Sequence, residues 1–231
     1  MDEIKLDENI KIQGFFDEQT STISYVVHDK IERKCAVIDS VLDFDYSSGD
    51  IDYLNADKII SYIDQNNLDV EWLIETHVHA DHLSASPYIQ KKLGGKIGIS
   101  EKISYIQNIF GKTFNAGTEF QRDGSQFDKL FKDNDEYKIG NINCKVIHTP
   151  GHTPACTAHI IGESIFVGDT LFMPDLGSAR ADFPGGDARQ LYRSIQKILS
   201  YPDHSKIFIC HDYPPSSREV NWSTTIGEQK K

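Results

Sequence analysis

The heptapeptide Thr76-His77-Val78-His79-Ala80-Asp81-His82 holds three of the chain's nine histidines together with a carboxylate. A solvated polar turn has no use for that density, whereas neutral imidazole and carboxylate together are good ligands for zinc and for ferrous iron. Three more donors each follow an apolar run: His152 in the turn His148-Thr149-Pro150-Gly151-His152-Thr153, Asp169 in Gly168-Asp169-Thr170, and His211 in His211-Asp212-Tyr213. Singly, each has an ordinary explanation as a turn or strand-end residue. Jointly they describe a metal centre whose ligands arrive at the ends of successive strands.

The elements that must deliver these residues are legible in the hydrophobic pattern. Residues 70–75, with Trp72, Leu73 and Ile74, read as a short buried strand that ends at the heptapeptide. On extended backbone side chains repeat with period two, which points His77 and His79 into one cavity, with Asp81 and His82 following on a turn. Strands are expected at 144–147, 164–167 and 206–210 ahead of the later donors, at 96–99, and at 10–16, 23–28 and 35–39 as an opening meander. Helices are expected at 55–66, with Ile59, Ile60 and Ile63 on one face, at 84–93 with Gly94-Gly95 as its stop, at 101–109, and at 187–199 behind an Asp187 cap. Residues 111–128 read as a surface loop pinned by Phe114, Phe120 and Phe127, with a flap over the site as the sharper alternative. No linker or repeat divides the chain, so residues 1–231 read as a single domain.

Composition narrows the function. The chain carries 24 Lys and Arg against 35 Asp and Glu, a net charge of -11 with a pI near 5.2, and phosphate binding wants a basic face, so no nucleic acid is expected as a partner. No stretch approaches the roughly 20 apolar residues that cross a bilayer. Residues 1–9 are acidic and carry no signal-peptide pattern, so the expected location is cytoplasmic, with no membrane association. Cys35, Cys144, Cys156 and Cys210 form no Cys-X-X-Cys pair and are expected as reduced, buried thiols, Cys210 facing the core because neighbours on a strand alternate.

The order His-X-His-X-Asp-His, Thr-Pro-Gly-His-Thr, Gly-Asp and a terminal His resembles the metallo-β-lactamase superfamily over roughly the whole chain up to His211. The resemblance implies an α/β (α+β) αββα sandwich, two mixed β-sheets packed face to face with helices on the outer faces and a metal cleft at one edge. Val37-Ile38-Asp39 resembles the early strand ending in a buried Asp that supports the metal loop. Asp169 stands where the best-known antibiotic-cleaving class carries Cys, and His79 where flavodiiron proteins carry Glu.

Two branches are closest: glyoxalase II, a two-metal hydrolase of glutathione thioesters, and persulfide dioxygenase, a one-iron enzyme oxidising glutathione persulfide with O2 and water to sulfite and the thiol. The 20 residues after His211 contain no counterpart of the helical extension of glyoxalase II, and Arg180, Asp182 and Phe183 are similar to the Arg-X-Asp-Phe of the persulfide dioxygenases. Cys156 and Tyr213 also match that branch, while Met173 to Gly177 resembles a Met-Pro-Asp insertion of bacterial members. The resemblance implies one Fe(II) per chain on His77, His152 and Asp169, with His79, Asp81, His82 and His211 as catalytic groups around it and Arg180 and Tyr213 on the substrate. The alternative is one or two Zn(II) per chain, with those four residues completing a two-metal site. All seven donors are present, so the sequence accommodates either count. The branch further implies a homodimer, a sulfide-detoxifying role and a separate sulfurtransferase. A metal- or persulfide-binding sensor without turnover is the reading outside enzymology.

Overall fold

Alternation in the early strands decides the layering. Tyr25 and Val27 point to one side of their strand and Val26 to the other; two strand positions apart, Ala36 and Ile38 oppose Cys35 and Val37, and all are buried. Strands apolar on both faces have to be covered twice. In this computed structural model, which describes residues 9–231, one face meets a second sheet and the other meets helices. Residues 1–8, most of the stretch read above for a signal peptide, lie outside the described residues.

In chain order the strands are β1 (Ile10–Asp17), β2 (Thr22–Asp29), β3 (Lys34–Ile38), β4 (Val41–Phe44), β5 (Ile51–Asp52), β6 (Asp69–Ile74), β7 (Leu83–Ser84), β8 (Lys96–Ser100), β9 (Lys129–Phe131), β10 (Glu136–Ile139), β11 (Ile142–His148), β12 (Thr157–Ile161), β13 (Ser164–Phe166), β14 (Lys206–Phe208) and β15 (Ser223–Thr225). The helices are α1 (Leu54–Gln65), α2 (Ser86–Leu93), α3 (Ile103–Thr113), α4 (Ala188–Leu199) and α5 (Ile226–Gln229). The first sheet has the order β1-β2-β3-β6-β8-β9 and the second β10-β11-β12-β13-β14-β15, with β5-β4-β7 a small third sheet. Both large sheets are mixed: β3, β6, β8 and β9 run parallel, as do β13 and β14, and the remaining pairs are antiparallel. This is the αββα sandwich that the sequence leads one to expect. Between the sheets lie Tyr25, Ile38, Ile74 and Phe131 from the first and Val146, Ile161, Phe166 and Ile207 from the second; Ile59 and Ile63 of α1 and Ile89 of α2 cover the outer face of the first.

Several elements differ from the sequence reading for identifiable reasons. The α2 helix begins at Ser86 and not near 84, because Leu83 and Ser84 pair with Leu42 and Val41 and Pro87 then suits the first helical turn. The α3 helix runs past 109 to Thr113, so the loop after it is shorter than expected. Of its aromatics only Phe127 packs inward, while Phe114 and Phe120 stay exposed; polar contacts add to the hold, Arg122 donating to the carbonyls of Gly111 and Ala116 and Gln107 accepting from the Gly124 amide. Asp187 caps α4 as expected, accepting from the amides of Arg189 and Gln190.

One buried polar residue gives the fold a pH signature. His159 on β12 is fully buried, with Nδ1 3.0 Å from the Tyr137 hydroxyl and Nε2 3.3 Å from Thr157 Oγ1. Burial pushes its pKa down to about 4, against a weaker upward pull from Asp39. An unfolded histidine takes its proton near 6.5, so between there and about 4 the unfolded state holds one proton more and stability falls as pH falls, by about 1.4 kcal/mol per unit. His159→Gln is expected to flatten that slope in denaturant titrations at pH 7, 6 and 5; an unaltered slope would show that the folded protein accommodates the charged ring.

Candidate metal centre

The candidate ligands gather where strands end. Asp39 follows β3 and the heptapeptide follows β6, two parallel neighbours; Asp169 and His211 follow β13 and β14, also parallel neighbours; His152 follows β11. Parallel strands leave their carboxyl ends on one edge, and the loops from both sheets meet there. Gly168 makes the meeting possible. It has φ +51°, and a Cβ there would lie 2.5 Å from Thr76 Oγ1, so only glycine lets the Asp169 loop close on the His77 loop. Gly151, at φ +145°, is pressed as closely against the backbone of Leu191, which seats the His152 turn on α4.

Two-histidine, one-carboxylate geometry follows. Asp169 Oδ2 lies 3.7 Å from His77 Nε2 and 3.4 Å from His152 Nε2, and the three ligand atoms lie within 4.8 Å of one another. Ligands of a four-coordinate ion with bonds near 2.0–2.1 Å stand about 3.4 Å apart, so the spacing fits a cation. On its other side, Asp169 Oδ1 lies 3.4 Å from His211 Nε2, which is 3.5 Å from Asp81 Oδ2. A single carboxylate thus faces two loci.

The hydrogen bonds of the imidazoles test whether a metal fits. His77 Nδ1 meets Thr76 Oγ1 at 3.0 Å, His82 Nδ1 the Leu83 carbonyl at 2.9 Å, His152 Nδ1 the Arg180 carbonyl at 2.8 Å, and His211 Nδ1 lies 3.3 Å from Thr22 Oγ1. His79 is turned the other way, with Nε2 3.1 Å from Asp39 Oδ1 and 3.2 Å from Glu75 Oε2. Each ring spends one nitrogen on the protein. The opposite nitrogens of His77, His79 and His82, and Asp169 Oδ1, are buried without a hydrogen-bond partner. Orphaned buried acceptors are costly unless something charged binds them, and a second nitrogen held by the protein is how metal-ligating histidines are oriented.

Electrostatics agree. Burial and the neighbouring rings push His77 well below the usual histidine range, burial takes His82 down to about 4, and burial raises Asp169. Burial would lower His79 too, but Asp39 and Glu75 outweigh it and hold that ring above the usual range, while His79 and the Thr76 donors hold Asp39 low against its burial. Asp39 accepts from the Thr76 amide at 2.7 Å and the Thr76 hydroxyl at 2.8 Å, so it fixes the start of the metal loop.

The cleft in front of the cluster, about 330 Å³, is lined by Asp81, His152, Asp169, Arg180, His211 and Tyr213, with Phe172 and Phe183 as its apolar wall. His77, His79 and His82 do not line it; all three line a second cavity behind the loop. Period-two reasoning placed His77 and His79 together, and their rings are 4.2 Å apart, yet the backbone after Ile74 bends and is not strand. Arg180 is exposed, donates through Nε and one terminal nitrogen to Asp182, and lies 4.9 Å over the Phe183 ring. Tyr213 is half exposed and stacks on His211. None of residues 111–128 lines this cleft.

Three contributors escaped the sequence reading. Glu75 accepts from Ser84 and Ser86 through Oε1 and flanks His79 through Oε2; its place four residues before His79 was the available signal. Cys210 is buried as expected, but not through strand alternation, since β14 ends at Phe208; its sulfur donates to Asp39 Oδ2 at 3.7 Å. Arg218 grips two carboxylates, Asp212 beside His211 and Asp175 in the loop after Phe172. All four cysteines are buried and unpaired, and burial raises every thiol, Cys156 to about 12.

The family model described as the metallo-beta-lactamase superfamily matches residues 19–211. The chain belongs to that superfamily. A beta-lactamase hydrolase-like protein of Xylella fastidiosa is 48% identical over 96% of the chain, which spans only 51% of that relative's length. Dictyostelium discoideum Glyoxylase B2 is 45% identical over 95% of the chain and 76% of the relative. Human mitochondrial persulfide dioxygenase ETHE1 is 27% identical, covering 88% and 69%. Among solved structures, ETHE1 from Myxococcus xanthus superposes with a TM-score of 0.75 at 26% identity, covering 96% of this chain and 82% of that one. The relatives thus include proteins named for hydrolysis and for dioxygenation.

Proposed function

We propose that this metallo-β-lactamase protein is a one-iron persulfide dioxygenase, acting on glutathione persulfide or a similar small thiol persulfide. The observation that carries the reading is the cluster of His77, His152 and Asp169, two imidazoles and one carboxylate whose ligand atoms lie within 4.8 Å of one another. Two histidines and one carboxylate on one face leave positions open, the arrangement of non-haem iron oxygenases. Ferrous iron bound there would supply the dioxygen chemistry, giving sulfite, the thiol and two protons from the persulfide, O2 and water.

The protein's own groups do the rest. Arg180, freed from Asp182, pairs with a substrate carboxylate, and Phe172 and Phe183 wall off water. Asp81 and His211, 3.5 Å apart, hold or move protons at the mouth of the cleft. A second reading, a two-zinc thioester hydrolase, is favoured by Asp169 Oδ1 facing His211 and Asp81 and by the name of the Dictyostelium relative.

Elemental analysis of freshly prepared protein, paired with oxygen uptake on glutathione persulfide, separates the two. About one iron per chain with sulfite formed is expected. About two zincs, no oxygen uptake and hydrolysis of lactoylglutathione would replace the reading with the hydrolase. Arg180→Ala is expected to raise the persulfide KM by about 10-fold while leaving kcat and iron content unchanged, as losing one charge-assisted pair should. An unaltered KM would remove Arg180 from the substrate site.

A further inference from the structure

The metal loop has a second cavity at its back. It holds about 340 Å³ and shares none of its lining residues with the front cleft. Its apolar lining comes from Val78, Leu83, Ile97, Ile99 and Phe127, and its inner wall is built from His77, His79 and His82. Glu75, Ser84, Ser86 and Gln126 also border it; both seryl hydroxyls donate to Glu75 Oε1, Glu75 Oε2 flanks His79, and Gln126 lies at the exposed rim. The two cavities are opposite in character. The front carries Asp81, Asp169, Arg180 and Tyr213; the back is mostly hydrocarbon and abuts the same cluster of ligands from behind.

Resting on the dioxygenase reading, we propose that the back cavity is a dioxygen site, holding the gas against the His77–His82 loop while the persulfide enters by the front. A two-reactant oxygenase has to admit a charged thiol tail and a small apolar gas to one centre. A polar cleft filled by the first is a poor route for the second. The pocket is open at its rim, where Leu83, Pro87 and Gln126 are exposed, but its apolar wall can still take up apolar guests such as xenon, and O2 is a guest of the same kind. Phe127 connects this cavity to the 111–128 segment, since its ring packs both with Ile99 and Ile103 and along α2's layer. The loop that lines no part of the front cleft thereby contributes Gln126 and Phe127 to the wall of the back one.

Two readouts test the site. In metal-free protein under xenon pressure, xenon located by diffraction or by 129Xe chemical shift is expected between Ile97, Ile99 and Phe127, and is expected to be lost in Ile97→Phe, which fills the space. In iron-loaded protein, Ile97→Phe should raise the KM for O2 several-fold with the persulfide KM unchanged, and Phe127→Ala, which enlarges the cavity, should not raise it. Circular dichroism and iron content confirm that each variant is folded and loaded; if Ile97→Phe fails to fold, Val78→Phe is the alternative filler, read the same way. Absence of xenon from the wild-type cavity, or an O2 KM that filling does not move, overturns the proposal. Wild-type protein that takes up no oxygen at all with glutathione persulfide overturns the dioxygenase reading instead, whatever xenon does.

Discussion

Replacing Asp169 by Ala is expected to empty the metal centre and abolish turnover. The carboxylate is the one group that faces His77 and His152 through Oδ2 and His211 through Oδ1, so no other side chain among the described residues can take its place. Loss of a supporting hydrogen bond costs a metal site roughly 10–100-fold in affinity or activity, and loss of a ligand should exceed that. Iron or zinc content below about a tenth of wild type, with activity down by at least about 1,000-fold, is the expected outcome. Asp39→Asn, which removes no candidate ligand and weakens the contacts to Thr76, His79 and Cys210, should fall inside the roughly 10–100-fold range. Equal and small losses in both would mean that the metal sits elsewhere.

The second large effect is on stability and lies outside the cluster. Asp212 is fully buried and accepts two hydrogen bonds from Arg218, at 2.6 and 2.7 Å, and one from the Asn221 amide; the same guanidinium gives two more, at 2.8 and 2.9 Å, to Asp175. The carboxylates in turn raise the Arg218 pKa. Removing the guanidinium, which is 23% exposed, leaves the buried Asp212 charge without its partner and costs about 2–4 kcal/mol, the figure for a fully buried pair discounted for solvent. Arg218→Met should therefore lower the Tm by about 10 °C at this chain length, and Asp212→Asn in the same chain should recover much of the loss. A drop below about 1 kcal/mol would show that water replaces the guanidinium.

What could be read beforehand was whatever has a local pattern. Strands apolar on both faces, the amphipathic α1 and the Asp187 cap are properties of a few consecutive residues, and they emerged close to the expected bounds. The candidate ligands were legible because metal chemistry restricts donors to few residue types. The β12 strand was missed because its Thr157 and His159 look like loop polarity until Tyr137 supplies the buried partner 22 positions away. Arg218 was illegible for the same reason: it stands in a Pro-Ser stretch that reads as solvent-exposed, and Asp175, 43 residues earlier, gives no sign of pairing with it. The Met173-Pro174-Asp175 stretch is where that second carboxylate comes from.

The cluster also straddles the seam of the sandwich. His77 comes from the end of a strand in the first sheet, His152 and Asp169 from strand ends in the second, and Gly168 brings the two loops into contact with no room for a side chain. An ion gripped by all three is a rivet through both halves of the molecule. Affinity for the ion and cohesion of the halves are then the same free energy measured from two ends. Stripping that ion should therefore lower the Tm of the whole sandwich along with any turnover.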